Sequence, residues 1–168
     1  MGMYAYAQQV ASDRLDSFRR DLDRVAPFLR KVLRSLASGG DFSDPRWTLD
    51  LHKYWAILQY LLAGNLGWPA AAPLTDPILG GVEIGDDMNY GPGRFLTAEQ
   101  VREIANRLGN LSWETISFAF DPEAMRSVGV YMAEVDGVLE GARAVFHALV
   151  NFYSDAASQG NAILLVVL

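Results

Sequence analysis

Residues 75–101 read TDPILGGVEIGDDMNYGPGRFLTAEQV, and the fold turns on how this stretch is understood. Five of the chain's fifteen glycines fall here, so helix is excluded and two short strands, near 82–85 and 93–96, fit between the turns. Gly91, Pro92 and Gly93 bring the chain round sharply, so residues on the two sides of the turn can face each other. The stretch closes on Thr97 and Gln100, a capping box that opens a helix over 98–108, which Gly109 ends.

Sequence on both sides of this segment is mostly helical. Upstream, Met3–Gln9 alternates two tyrosines with small residues and reads as a half-buried strand. Ser12 is placed to cap a helix whose apolar residues, from Leu15 to Leu36, recur at spacings of three and four. Pro27 lies inside that run and predicts a kink or break near 23–27, while Gly39–Gly40 end it. Asp44–Pro45 then reads as cap and first residue of a central helix over 45–63. Trp47, Leu51, Trp55, Leu58 and Leu62 form its buried face. Gly64 stops that helix, and a loop runs over 64–74 with an exposed Trp68.

Downstream, Ser112 and Asp121–Pro122 mark two short helices, and a long helix follows over about 136–158. Val138, Ala142, Val145, Leu149, Phe152 and Ala156 face its core side, and Gly160 closes it. The tail 162–168, AILLVVL, is apolar throughout and reads as a central strand buried on both faces, next to the N-terminal strand. The expected architecture is a single α+β domain over 1–168. It is mostly helical, packed around a small sheet that includes the N- and C-terminal strands.

Composition narrows the chemistry. With no cysteine, disulfides, thiolate metal sites and cysteine catalysis are excluded. The start MGMYAYAQQV lacks the basic and apolar regions of a secretory signal, and the longest apolar run falls far short of the ~20 residues of a membrane span. A cytoplasmic protein with no membrane partner is expected. Net charge is −6, unevenly placed: residues 1–34 sum to +3 and residues 35–168 to −9. That balance argues against a nucleic-acid partner and points to an unknown protein partner or a small polar or cationic ligand.

Among candidate sites, His52 and His147 lie far apart in sequence. On a helix Asp50 and His52, two residues apart, could not share a face, so no metal is expected. Gly80–Gly85 has neither dinucleotide nor phosphate-loop spacing, and no cofactor is expected. That leaves Glu83, Asp86, Asp87, Tyr90 and Arg94. The acids are not spaced for a calcium loop, but they suit a cation, a polar ligand or an arginine. Arg94 is expected within hydrogen-bonding reach of one of the three acids. The site then reads as a non-enzymatic binding surface on loop 80–94, or as a small-molecule enzyme working through Glu83, Asp87 and Arg94.

The segments WTLDLHKYWAILQYLLAG (47–64), GGVEIGDDMNYGPGRFLTAEQV (80–101), FDPEAM (120–125) and QGNAILLVVL (159–168), in this order, resemble the YfbM-like family of small bacterial proteins. Its most specific block is YGP-x-R-x-LT, here Tyr90 to Thr97. The resemblance implies one intracellular α+β domain and carries no assigned activity. Ala56 and Gln59 stand where many relatives carry histidines, and residues 131–135 replace a Tyr-Pro-x-x-Trp run. A metal or acid–base role built on those histidines is therefore missing from this chain.

Overall fold

A computed structural model describes residues 2–42, 44–63, 76–130 and 132–168. Five strands form one antiparallel sheet: β1 (Ala5–Val10), β2 (Thr48–His52), β3 (Val82–Asp87), β4 (Pro92–Leu96) and β5 (Ala162–Val167), in the order β2-β1-β5-β4-β3. Among the described residues seven α-helices cover it: α1 (Ser12–Arg20), α2 (Val25–Ser38), α3 (Trp55–Ala63), α4 (Ala98–Gly109), α5 (Trp113–Ser117), α6 (Pro122–Ser127) and α7 (Val138–Gln159).

β5 sits in the middle of the sheet, and every one of its six residues is buried. The pleat sends alternate side chains to opposite faces. Ile163, Leu165 and Val167 enter one core with Trp55, Leu58, Ile104, Phe146 and Leu149 from α3, α4 and α7. Ala162, Leu164 and Val166 enter a second core with Leu15, Phe18, Val25 and Leu29 from α1 and α2. The wholly apolar tail thus reflects two cores, one on each side, as the sequence suggests. β1 lies beside it, and the pair is extended by reciprocal backbone bonds between Tyr4 and Leu168 of 2.7 and 2.8 Å.

The expected helix over 45–63 is corrected. Asp44 does accept a bond from the Arg46 N–H (2.9 Å), and its carbonyl takes the Trp47 and Thr48 N–H groups, but the turn goes no further. The chain instead straightens into β2, where Leu49 and Leu51 alternate into the core and buried Thr48 donates to Gln8 Oε1 at 2.6 Å. Period two in TLDL competes here with the helical spacing of its apolar neighbours, and pairing with β1 decides it. Helix begins only at Trp55. Trp55 and Leu58 are buried as expected, whereas Trp47 stays 42% exposed.

Smaller corrections follow the same logic. The residue capping α1 is Ala11, with no side-chain bond, and Ser12 Oγ instead donates to the Gly160 carbonyl at the far end of α7. The apolar run 15–36 breaks at Asp21 and a 3₁₀ turn, Leu22–Arg24. Pro27 falls in the first turn of α2, where its missing donor costs nothing. Gly39 ends α2 in the left-handed conformation (φ 70°), Thr97 with Gln100 caps α4, and Asp121 caps α6. Gly109 is the last residue of α4, and Asn110 caps it. The predicted stop at Gly64, the loop 64–74 and Trp68 lie outside the described residues.

Both sheet edges are blunted. The bond from Gln9 N–H to the Trp47 carbonyl turns the Trp47 and Leu49 backbone toward β1 and leaves Thr48 and Asp50 facing outward. The Asp44 carbonyl then takes the Thr48 N–H and the Asp50 side chain takes the His52 N–H, so part of the β2 edge is already occupied. At the other edge, β3 is bulged between Ile84 and Asp87. Gly85 there has φ 77°, and a Cβ on it would lie 2.8 Å from Cβ of Val25. Among the described residues no helix is long and apolar enough to cross a membrane.

Removing residues 163–168 should abolish folding, because it takes the central strand from both cores at once. A truncated protein that stays soluble and melts cooperatively would contradict this. Trp55→Ala should cost about 3–5 kcal/mol by urea denaturation, the usual range for deleting a fully buried tryptophan.

Candidate functional site

The β3–β4 hairpin brings Glu83 and Arg94 opposite each other in register. Arg94 Nη1 donates to Glu83 Oε1 at 3.0 Å, so the expected pair forms, through one nitrogen rather than two. The rest of the guanidinium is spent on backbone: Nε donates to the Gly80 carbonyl and Nη2 to the Gly81 carbonyl, each at 3.1 Å. Glu83 is well exposed, so the ion pair itself contributes only a fraction of a kcal/mol. The carbonyl bonds matter more, because they fix the Gly80–Gly81 approach to β3. Gly81 has φ 79°, and a Cβ there would collide with the Phe95 carbonyl, so only glycine fits.

Asp86, Asp87 and Tyr90 are not drawn into this clamp. All three are exposed toward the far end of the hairpin. Asp87 Oδ1 accepts the Asn89 N–H at 2.7 Å, and the Met88 N–H bonds the Gly91 carbonyl at 2.9 Å, which closes the turn. The turn is therefore ordered by Asp87 and its own backbone, and Arg94 orders the entry to β3 instead.

His52 corrects another expectation. On a strand, residues two apart do share a face, and His52 Nδ1 lies 3.3 Å from Asp50 Oδ2. His147 is exposed with its ring against Phe146. Among the described residues no three metal-ligating side chains converge. Three described cavities, of about 320, 360 and 420 Å³, are lined by other parts of the chain, and the hairpin lines none of them.

A buried polar cluster between α3 and α7 escaped the sequence reading. Asp76, 4% exposed, accepts Ile78 N–H (2.8 Å) and Leu79 N–H (2.7 Å) on one oxygen and Gln59 Nε2 (2.9 Å) on the other. Tyr153 donates to the Pro77 carbonyl at 2.7 Å. Burial, reinforced by the nearby Asp76 charge, pushes the Tyr153 hydroxyl pKa well above the ordinary tyrosine value. Among the described residues the Gln59 side-chain carbonyl has no hydrogen-bond partner. Asp76 caps the single turn that follows it. Nothing in the sequence marks Gln59 or Tyr153 as its neighbours, since both lie within apolar helix faces.

A five-stranded antiparallel sheet between a two-helix layer and a five-helix layer, with a clamped edge hairpin, places the chain in a structural class without an assigned chemistry. The chain belongs to the family described as a domain of unknown function, DUF1877, whose model matches residues 1–166. The crystal structure of YfbM from Escherichia coli, a protein of unknown function, shares the fold. Its TM-score is 0.69 at 19% identity, over 98% of this chain and 99% of that one. No curated protein matches the chain.

Two outcomes follow. Arg94→Lys should lower stability modestly, because an ammonium cannot hold two carbonyls and a carboxylate in one plane, and thermal melts will show it. Tyr153 should also give an alkaline limb to stability. A tyrosine whose folded pKa is raised contributes stability that is fully present below about pH 10 and is lost as pH climbs toward the folded value. Urea midpoints across that range should fall more steeply for the natural chain than for Tyr153→Phe. That variant should also lose about 1–3 kcal/mol at neutral pH by orphaning the Pro77 carbonyl.

Proposed function

We propose that the protein is a non-enzymatic binding module acting in the cytoplasm, and that the hairpin over residues 80–94 receives a cationic segment of a partner protein. One observation carries this reading: Asp86, Asp87 and Tyr90 stand exposed together on a hairpin whose base is held by Arg94. A surface already fixed in shape loses little entropy when it is covered, so its contacts go directly into affinity. Glu83 on the same strand adds a third carboxylate, and the neighbouring 3₁₀ turn sets Asp23 beside Arg24. Val82 and Leu22, each about half exposed, add apolar surface beside it. The cytoplasmic setting is supported by the absence of cysteine.

The enzymatic alternative gains less from the geometry. Arg94 is committed to Gly80, Gly81 and Glu83, and Asp87 faces the Asn89 backbone beyond the bulge, so the three residues do not converge on one point.

A lysine-rich decapeptide titrated into ¹⁵N-labelled protein tests the reading. Amide shifts should move within residues 82–94 and shrink as salt is raised. Asp86→Asn with Asp87→Asn should weaken binding several-fold while leaving the melting temperature unchanged. Shifts confined to another surface, or none at all, would overturn the proposal.

A further inference from the structure

The opposite edge of the sheet carries a feature independent of the hairpin. A cavity of about 320 Å³ opens between β1, α1, α2 and the turn leading into β2. Phe28 from α2, Phe42 from the following loop and Trp47 supply aromatic walls, and Gln8, Gln9 and Val10 form the floor. Trp47 is 42% exposed, whereas Trp55 and Trp113 are buried.

The floor is rigid and already satisfied. Gln8 Oε1 accepts from Thr48, while Gln9 accepts from Asn161 and donates to the Arg46 carbonyl and to Asp155. Unspent polar groups lie at the rim instead. Arg14 and Asp41 line the cavity, both are exposed, and among the described residues neither belongs to an ion pair. The Arg14 guanidinium lies over the Phe28 ring, 5.4 Å from its centroid, which places it at the aromatic wall.

An aromatic enclosure with one unpaired cation and one unpaired anion at its mouth is complementary to a planar ring that carries both charges. We propose that this cavity binds a free aromatic α-amino acid. Its ring packs against Trp47 and Phe42, its carboxylate takes the Arg14 guanidinium, and its ammonium faces Asp41. The volume is at the small end of ligand sites, about 300–1,000 Å³, which suits an amino acid.

Calorimetry with L-phenylalanine tests this, alongside phenylacetate and phenethylamine, each of which lacks one of the two charges. Quenching of Trp47 fluorescence provides a second readout. Phenylalanine should bind about tenfold more tightly than either analogue, the scale of one charge-assisted hydrogen bond. Arg14→Gln should bring phenylalanine down to the level of phenethylamine without changing phenethylamine itself. Asp41→Asn should do the same relative to phenylacetate, and Trp47→Ala should remove binding of all three. Arg14 and Asp41 are exposed, so melts of those two variants should match the natural chain. No heat or quenching up to about 10 mM phenylalanine would overturn the proposal. So would equal affinity for the three compounds, which would leave an apolar cavity that does not read charge.

Discussion

Burial of β5 on both faces is the constraint on which the rest of the structure depends. A strand with every side chain buried needs a helical layer on each side, and the chain supplies α1 and α2 for one and α3 to α7 for the other. That division also sorts the charge. The basic first 34 residues form the outer surface of the thin layer, and the acidic remainder forms the thick one. The two sides of the sheet therefore present different electrostatics, with α2 alone carrying Arg30, Lys31 and Arg34 and no acid.

The two outer strands are handled differently because their neighbours differ. At β2 two backbone N–H groups are already occupied, Thr48 by the Asp44 carbonyl and His52 by the Asp50 side chain. At β3 the strand is bent by a bulge where Gly85 admits Val25, and Asp86 and Asp87 follow directly. Charge and curvature both oppose pairing with another sheet. They also leave the hairpin's side chains, rather than its backbone, as the surface available to a partner.

Much of this was legible in the sequence where a single physical rule dominated. Seven consecutive apolar residues at 162–168 could be only a doubly buried strand or a disordered liability, and the Thr97–Gln100 cap had one plausible meaning. That Arg94 reaches one of the three acids followed from the turn between them, and the strand register selects Glu83. The sequence failed where two rules competed. Residues 47–55 satisfy helical spacing through Trp47, Leu51 and Trp55 and strand alternation through Leu49 and Leu51. Only β1, forty residues away, selects the second. The Gln59–Asp76–Tyr153 cluster was invisible for a different reason: its members come from three separated segments, and each has an adequate local explanation alone. Arg14, Asp41 and Trp47 are joined only by tertiary packing and left no pattern to read.

Adjacency of β1 and β5, sealed by the reciprocal bonds of Tyr4 and Leu168, has a consequence for how the molecule is made. During synthesis β1 emerges first and its neighbour on the inner side emerges last, after more than 150 intervening residues. Until then β1 can pair only with β2, β3 only with β4, and the two ribbons have no strand between them. Closing so long a loop adds only logarithmically to the entropy cost, yet it delays the rewarding contacts to the end. The nascent chain is thus held as two unjoined half-sheets, with both cores incomplete, and becomes one cooperative unit only once β5 is available to join them.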